Sequence, residues 1–167
     1  LISVCETMSS VQGPRQTEFK DCFKKLRSGD GAPIVGNKVF WNGDFMVHKR
    51  PSFSMSVKKF SKRTLNSDTA PLHEGLRSRF QSDGLTYIFK HGLEYKNIFP
   101  IWDFTRSPGT TEDTGSYPNL PVDYRIPGNT SFVGGVSDGT YGAGVMDYQG
   151  MKATSKKSWF FSDDGMV

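Results

Sequence analysis

The sequence predicts a mainly β chain, a partial antiparallel β-sandwich preceded by a short helix. Three observations carry this. From about residue 38 apolar and polar residues alternate with a period of two. Eighteen Gly and nine Pro punctuate those runs, too many for a helical bundle and well suited to turns. Aromatics reach 13%, with 13 Phe, a composition that favours strands. At 167 residues the chain has the size of one domain or a piece of a larger one. An apolar share of 35% and a mean hydropathy of -0.49 leave room for a modest core under a polar surface. The same numbers exclude a coiled coil, a collagen-like chain and a disordered tail. No apolar run approaches the length of a membrane span.

The elements follow in order. Residues 1–16 show no clear period and read as a loose lead-in. Residues 17–28 read as a helix, with Thr17 as its cap and Phe19, Cys22, Phe23 and Leu26 on one stripe. Lys24, Lys25 and Arg27 suit its last turn, and Ser28-Gly29-Asp30-Gly31 stops it. Val39-Phe40-Trp41 and Phe45-Met46-Val47 flank Asn42-Gly43-Asp44, the signature of a hairpin. Phe53, Met55 and Val57 alternate with serines, as in a strand buried on one face. Leu85-Thr86-Tyr87-Ile88-Phe89 is a further strand, and residues 91–131 are rich in loops and proline. The stretches from Gly142 to Tyr148 and from Lys157 to Phe161 complete the series. Residues 159–167 read as a strand, a turn and the first step of another strand. With Leu1 at the other end, the chain is expected to be a fragment. No signal peptide is visible.

Few signatures of chemistry stand out. The net charge of +4 permits a polyanionic partner without demanding one. Cys5 and Cys22 are too few for a disulfide framework and lack metal-ligand spacing; one bridge and two free thiols both remain open. There is no Walker loop, dinucleotide fingerprint, HExxH or nucleophile elbow. The glycine-rich run from Gly134 to Gly139 reads as tight turns between strands rather than a phosphate cradle. His48 reads as a packed or surface residue, His73 beside Glu74 as a weak acid/base candidate, and His91 as a turn residue. Lys58, Lys59, Lys62 and Arg63, with Arg77 and Arg79, read first as a solvated sheet edge. A groove for an anionic polymer is the competing account. The stretch Ile98 to Thr111 gathers aromatics, an acid and an arginine. It suits either sugar stacking or a loop pinned to the core by Trp102 and Phe104.

Four ordered motifs carry a resemblance. The first runs from Phe40-Trp41-Asn42-Gly43-Asp44 through His48-Lys49-Arg50-Pro51. The second is Arg63-Thr64 leading to Ser82-Asp83-Gly84. The third is Pro100-Ile101-Trp102-Asp103 with Pro108-Gly109-Thr110-Thr111. The last is Phe132-Val133-Gly134-Gly135-Val136-Ser137-Asp138-Gly139 with Lys156-Lys157-Ser158-Trp159-Phe160-Phe161. Together they resemble the central β-domain of polysaccharide lyase family 8, which includes chondroitin AC, hyaluronate and xanthan lyases. The chondroitin AC branch looks most similar.

The resemblance implies a supersandwich-type β-domain following a helical toroid. Residues 1–36 would be the end of the helical region and a linker, and 37–167 the N-terminal part of an incomplete sandwich. It implies β-elimination at a uronic acid of an acidic polysaccharide, with the principal Asn, His, Tyr and Arg in the helical domain. Asp68 falls where the family places an auxiliary Glu, one methylene shorter. Glu74 matches the acid of an Asn-x-Glu-Asn motif whose asparagines are missing from Pro71-Leu72-His73-Glu74-Gly75. Arg63, Trp102 and Arg106 would line or shape the substrate cleft. No cofactor is implied. Some relatives hold calcium beside the Trp-acid segment, and Asp103, Glu112 and Asp113 are the weak candidates here. Thr105 stands where a second carboxylate would help, so the expected metal content is none. Asn129-Thr130-Ser131 is a glycosylation sequon, relevant to a secreted eukaryotic protein. The expected partners are an acidic polysaccharide and the helical domain of the same protein, with no nucleic acid and no membrane, outside the cell or in the periplasm. The missing asparagines keep open a non-catalytic carbohydrate-binding or scaffolding domain.

Overall fold

The computed structural model describes residues 2–29, 34–66, 80–111, 127–150 and 153–166. The chain forms two compact units, Leu1–Ile34 and Val35–Val167.

The first unit is a pair of helices, α1 (Ile2–Ser10) and α2 (Gln16–Ser28). The first corrects the expected loose lead-in. Its sequence has no apolar stripe, so contact with α2 has to hold it. Cys5 is buried and its Sγ lies 3.4 Å from Cys22 Sγ. The Gln16 side-chain amide donates to the Ser9 carbonyl at 3.0 Å. The second helix starts at Gln16, so Thr17 is not its cap. Arg15 precedes it without a capping side chain and instead bonds Glu18 at 2.8 Å. Gly29 ends it with φ 74°, and its N–H donates to the Lys25 carbonyl at 3.1 Å.

The second unit is a pair of four-stranded antiparallel meanders. One contains β1 (Gly36–Phe40), β2 (Phe45–Arg50), β3 (Phe53–Lys58) and β4 (Leu85–Phe89). The other contains β5 (Val133–Ser137), β6 (Gly142–Gln149), β7 (Thr154–Ser162) and β8 (Gly165–Met166). The expected hairpin at Asn42-Gly43-Asp44 is present. A single 3-10 turn spans Trp41–Gly43, and Asp44 takes the left-handed conformation at φ 48°. Strand β4 has the bounds that the sequence suggests, β3 and β6 run one residue past their expected stretches, and β7 extends at both ends.

Alternation sorts each strand into two faces. Val39, Met46, Met55 and Val57 from the first sheet form one buried cluster with Val133, Met146, Tyr148, Trp159 and Phe161 from the second. Burying a side chain of this size contributes roughly 1.5–3 kcal/mol, so this layer is the main apolar source of stability.

The glycine-rich run departs from expectation. Only Asp138 and Gly139 lie beyond the strand; Gly134 and Gly135 lie within β5. The reason is a close approach between the sheets. Gly135 pairs with Gly144 of β6. A Cβ on either would lie within 2.8 Å of Met46 Sδ, and Met46 is fully buried. Two facing glycines therefore form the recess that admits this side chain. An added methyl at 135 would also meet the Ala143 carbonyl at 2.9 Å. Gly135→Ala is expected to lower stability by roughly 1–3 kcal/mol through overpacking. Urea denaturation would show it, and an unchanged midpoint would refute the recess.

Candidate functional site

Strand β2 sends an unusual row of side chains inward: Met46, then His48, then Arg50. His48 is fully buried. The Ser162 carbonyl can only accept, so Nε2–H of His48 donates to it at 2.8 Å. Nδ1 then accepts from the Asn37 amide at 3.3 Å. Burial pushes the imidazole pKa below its ordinary value, and both ring nitrogens are engaged within the fold. Arg50 bonds Asp163 Oδ1 and the Thr140 carbonyl, both at 2.8 Å. Tyr141 stacks against the guanidinium and donates its hydroxyl to Asp163 Oδ2 at 2.9 Å.

A second polar group forms around Asp44, whose carboxylate is 1% exposed. Ser61 Oγ donates to Oδ2 at 2.6 Å and Thr64 Oγ1 at 2.8 Å. Arg63 reaches Oδ1 at 2.5 Å and the Val133 carbonyl at 3.3 Å. Lys59 lies alongside, 1% exposed, with Nζ donating to the Gly134 carbonyl at 2.5 Å. Lys58 Nζ donates to the Gly43 and Lys59 carbonyls at 2.7 and 2.9 Å. The expectation of a solvated sheet edge is therefore corrected for Lys58 and Lys59. Both ammonium groups turn inward onto carbonyl oxygens, while Lys62 stays exposed.

A third group lies against β7. Lys157 Nζ donates to the Asp83 and Gly109 carbonyls, both at 2.7 Å. Tyr148 donates its hydroxyl to Asp83 Oδ2 at 2.9 Å. Gly109, at φ 78°, packs so close to Thr86 that a side chain would not fit. This fixes the Pro108-Gly109 corner, which the Thr86 N–H bonds at 2.9 Å.

The loop held by that corner carries the aromatics. Tyr95 sits at their centre, edge-on to Tyr87, Phe89 and Trp102 at 4.6, 5.1 and 5.8 Å between ring centroids. Its hydroxyl accepts the Ile88 N–H at 3.2 Å. Glu94 accepts the His91 and Lys90 N–H groups at 2.6 Å each, which draws its pKa down to about 2. His91 is thus part of a turn, as its sequence suggests. A cavity of about 200 Å³ opens here, walled by Leu85, Tyr87, Phe99, Trp102 and Phe104 among others. Trp102 is half-buried, whereas Phe99 and Ile101 are well exposed.

The structure places the sequence-predicted site residues as follows. Arg63 binds Asp44, so one face of its guanidinium is committed internally while half of the side chain stays exposed. Trp102 forms one wall of the aromatic cavity. Arg106 is 84% exposed and pairs loosely with Asp103 at 3.7 Å. Asp103 is otherwise occupied by the Thr105 hydroxyl and N–H. Among the described residues no three His, Cys, Asp or Glu side chains converge as metal ligands. Asp68, His73, Glu74, Arg77, Arg79, Glu112 and Asp113 lie outside the described residues. Sequence reasoning missed Lys59, Lys157, Asp44 and Asp83 as interior groups. Their signal, a charge at an inward position of an alternating strand or beside a Gly corner, reads equally well as a surface charge.

Two facing meanders with ionic groups reaching between them define a β-sandwich domain of the super-sandwich type. A family model described as polysaccharide lyase family 8, super-sandwich domain, matches residues 35–167. The chain belongs to polysaccharide lyase family 8. It is 43% identical over 147 residues to chondroitinase-AC of Pedobacter heparinus, covering 83% of this chain and 21% of that protein. It is 30% identical over 145 residues to a hyaluronate lyase of Thermasporomyces composti, covering 80% of this chain and 18% of that one. The chain thus spans about a fifth of the length of these relatives. A solved chondroitinase AC lyase, studied as oligosaccharide complexes, superposes with a TM-score of 0.82 at 31% identity. It covers 99% of this chain and 25% of that one. The chondroitin AC lyase of Streptomyces coelicolor A3 gives 0.70 at 27%, covering 89% of this chain and 21% of that one.

Two lysines in the unit make its stability depend on pH. Burial lowers Lys59 and Lys157 from an ordinary 10.5 to about 8. Above about 8 these groups lose protons when folded but keep them when unfolded. Stability then rises with pH until the unfolded value is passed. Denaturation midpoints are expected to climb between about pH 8 and pH 9.5, and Lys59→Met to flatten part of that climb. A falling midpoint over this range would contradict the burial of these ammonium groups.

Proposed function

We propose that this chain is the sandwich-side part of a lyase that cleaves uronate-containing polysaccharides, chondroitin-like polymers first, by β-elimination. The 43% identity to chondroitinase-AC is the observation that supports it most. In such a reaction the uronate carboxylate is neutralised, the C5 proton is removed and a proton passes to the leaving oxygen. Neutralising that carboxylate makes the neighbouring proton removable near neutral pH. Residues 1–36 would be the end of a helical region that carries those steps, and 37–167 the first part of the sandwich. Asp68 and Glu74 would reach the cleft from the sandwich side. Trp102 and Arg106 would shape its flank, and Arg63 would fix the start of the segment that bears Asp68. The protein would work outside the cell or in the periplasm, without a resident cofactor.

A second reading is a carbohydrate-binding domain without turnover. The absence of both asparagines around Glu74 favours it. Absorbance of unsaturated uronate, with chondroitin sulfate as substrate, separates the possibilities. The 167-residue chain alone is expected to give no turnover; clear activity would sink the division of labour between helical and sandwich parts. The full-length protein, with helical region and complete sandwich, is expected to be active, and inactivity there would decide for the second reading.

Both readings expect binding through the aromatic loop. Arg106→Ala should weaken retention on immobilised chondroitin sulfate severalfold, with less effect at high salt. Retention equal to wild type would remove Arg106 from the site.

A further inference from the structure

We propose that Cys5 and Cys22 form a redox modification site, at which a disulfide staples α1 to α2. The two thiols belong to different helices, 17 residues apart, and their sulfurs are already in contact at 3.4 Å. Both are free in the structure. A disulfide closes the sulfurs to about 2.0 Å, which asks for a shift on the order of 1 Å shared between two side chains.

The surroundings explain what a bond here would do. Helix α1 has nine residues and one buried side chain, Cys5 itself. Among the described residues α2 has no fully buried side chain. A helix this short is not stable alone, so its pairing with α2 decides whether it forms. The thiol pair lies where the two helices meet. Linking residues 5 and 22 removes loop-closure freedom from the unfolded chain without needing a larger core.

The chemistry balances with a small-molecule disulfide as oxidant. Cys5 is 4% exposed, whereas Cys22 is partly open to solvent. Cys22 therefore meets the oxidant first. Its thiolate attacks one sulfur, forms a mixed disulfide and releases one thiol. Cys5 gives up its proton and attacks Cys22 Sγ, releasing the second thiol. Two protein thiols are oxidised, one external disulfide is reduced to two thiols, and the protons leave on the released groups.

Oxidised glutathione with the full chain at neutral pH tests this. The expected product is lighter than the reduced chain by about 2 Da and takes up no alkylating label. Trypsin cleavage after Arg15 should leave the two cysteine peptides joined until a reductant is added. Two labelled thiols, or glutathione retained on the wild-type chain, would overturn the proposal. Cys5→Ser should hold one stable glutathione on Cys22. A bare Cys22 in that variant would overturn the order of attack, and the site with it.

Discussion

One buried carboxylate organises the sandwich. Asp44 occupies a left-handed corner that few side chains tolerate. Its carbonyl accepts the Lys59 N–H at 2.9 Å, and its own N–H closes the turn on Trp41. Its carboxylate then gathers Ser61, Thr64 and Arg63. A charge this deep is tolerated only when every lone pair is answered. Three side-chain donors from one short segment answer the carboxylate, and the Lys59 N–H of the same segment answers the Asp44 backbone carbonyl. The hairpin between β1 and β2 and the segment after β3 are therefore fixed together. Arg63 and Lys59 extend that unit to the Val133 and Gly134 carbonyls of the second sheet.

The same device recurs at the far end of β2. Arg50 and His48 reach from the first sheet to Asp163, Thr140 and Ser162. Lys157 returns the favour from the second sheet to Asp83. Cationic or N–H donors meet backbone carbonyl or carboxylate oxygens. The apolar core lies between these polar ties. With an apolar share of 35%, such ties supply part of the specificity that a larger core would otherwise give. Met46 in its glycine recess sets how closely the sheets approach.

Most strands were legible because their alternation is plain. Phe53, Met55 and Val57 between serines can form little else, and Leu85 to Phe89 is rich in strand formers. Strand β5 was hidden because Gly134 and Gly135 look like turn residues. Their role depends on Met46, about ninety positions away in the chain, and no local pattern carries that. Helix α1 was hidden for a similar reason: it depends on a partner helix rather than on its own stripe. Lys59 and Lys157 read as surface cations because burial of an ammonium group depends on carbonyls that only the fold brings near. The family motifs were legible as ordered blocks, since they combine turn residues with aromatics in fixed sequence.

The internal use of cations changes what the charge of +4 can mean for a polyanionic partner. Arg50, Lys58, Lys59, Arg63 and Lys157 each spend at least one donor on the fold. Counting them toward a surface field would overstate it. Lys90, Lys96 and Arg106 are exposed and lie on the same loop-rich segment as Trp102. Exposed cations such as Lys90 and Lys96 contribute to a surface field at low salt, whereas Arg106 is partly offset by its loose pairing with Asp103 at 3.7 Å. The aromatic loop therefore carries the exposed Phe99 and the half-buried Trp102 together with exposed cations. Lys58 and Lys59 stood out most in the sequence, yet they are the least able to contribute, because moving either outward would break its hydrogen bond to the Gly43 or Gly134 carbonyl. The positive charge left available at the surface belongs to the loop, and cohesion of the two sheets belongs to the buried lysines.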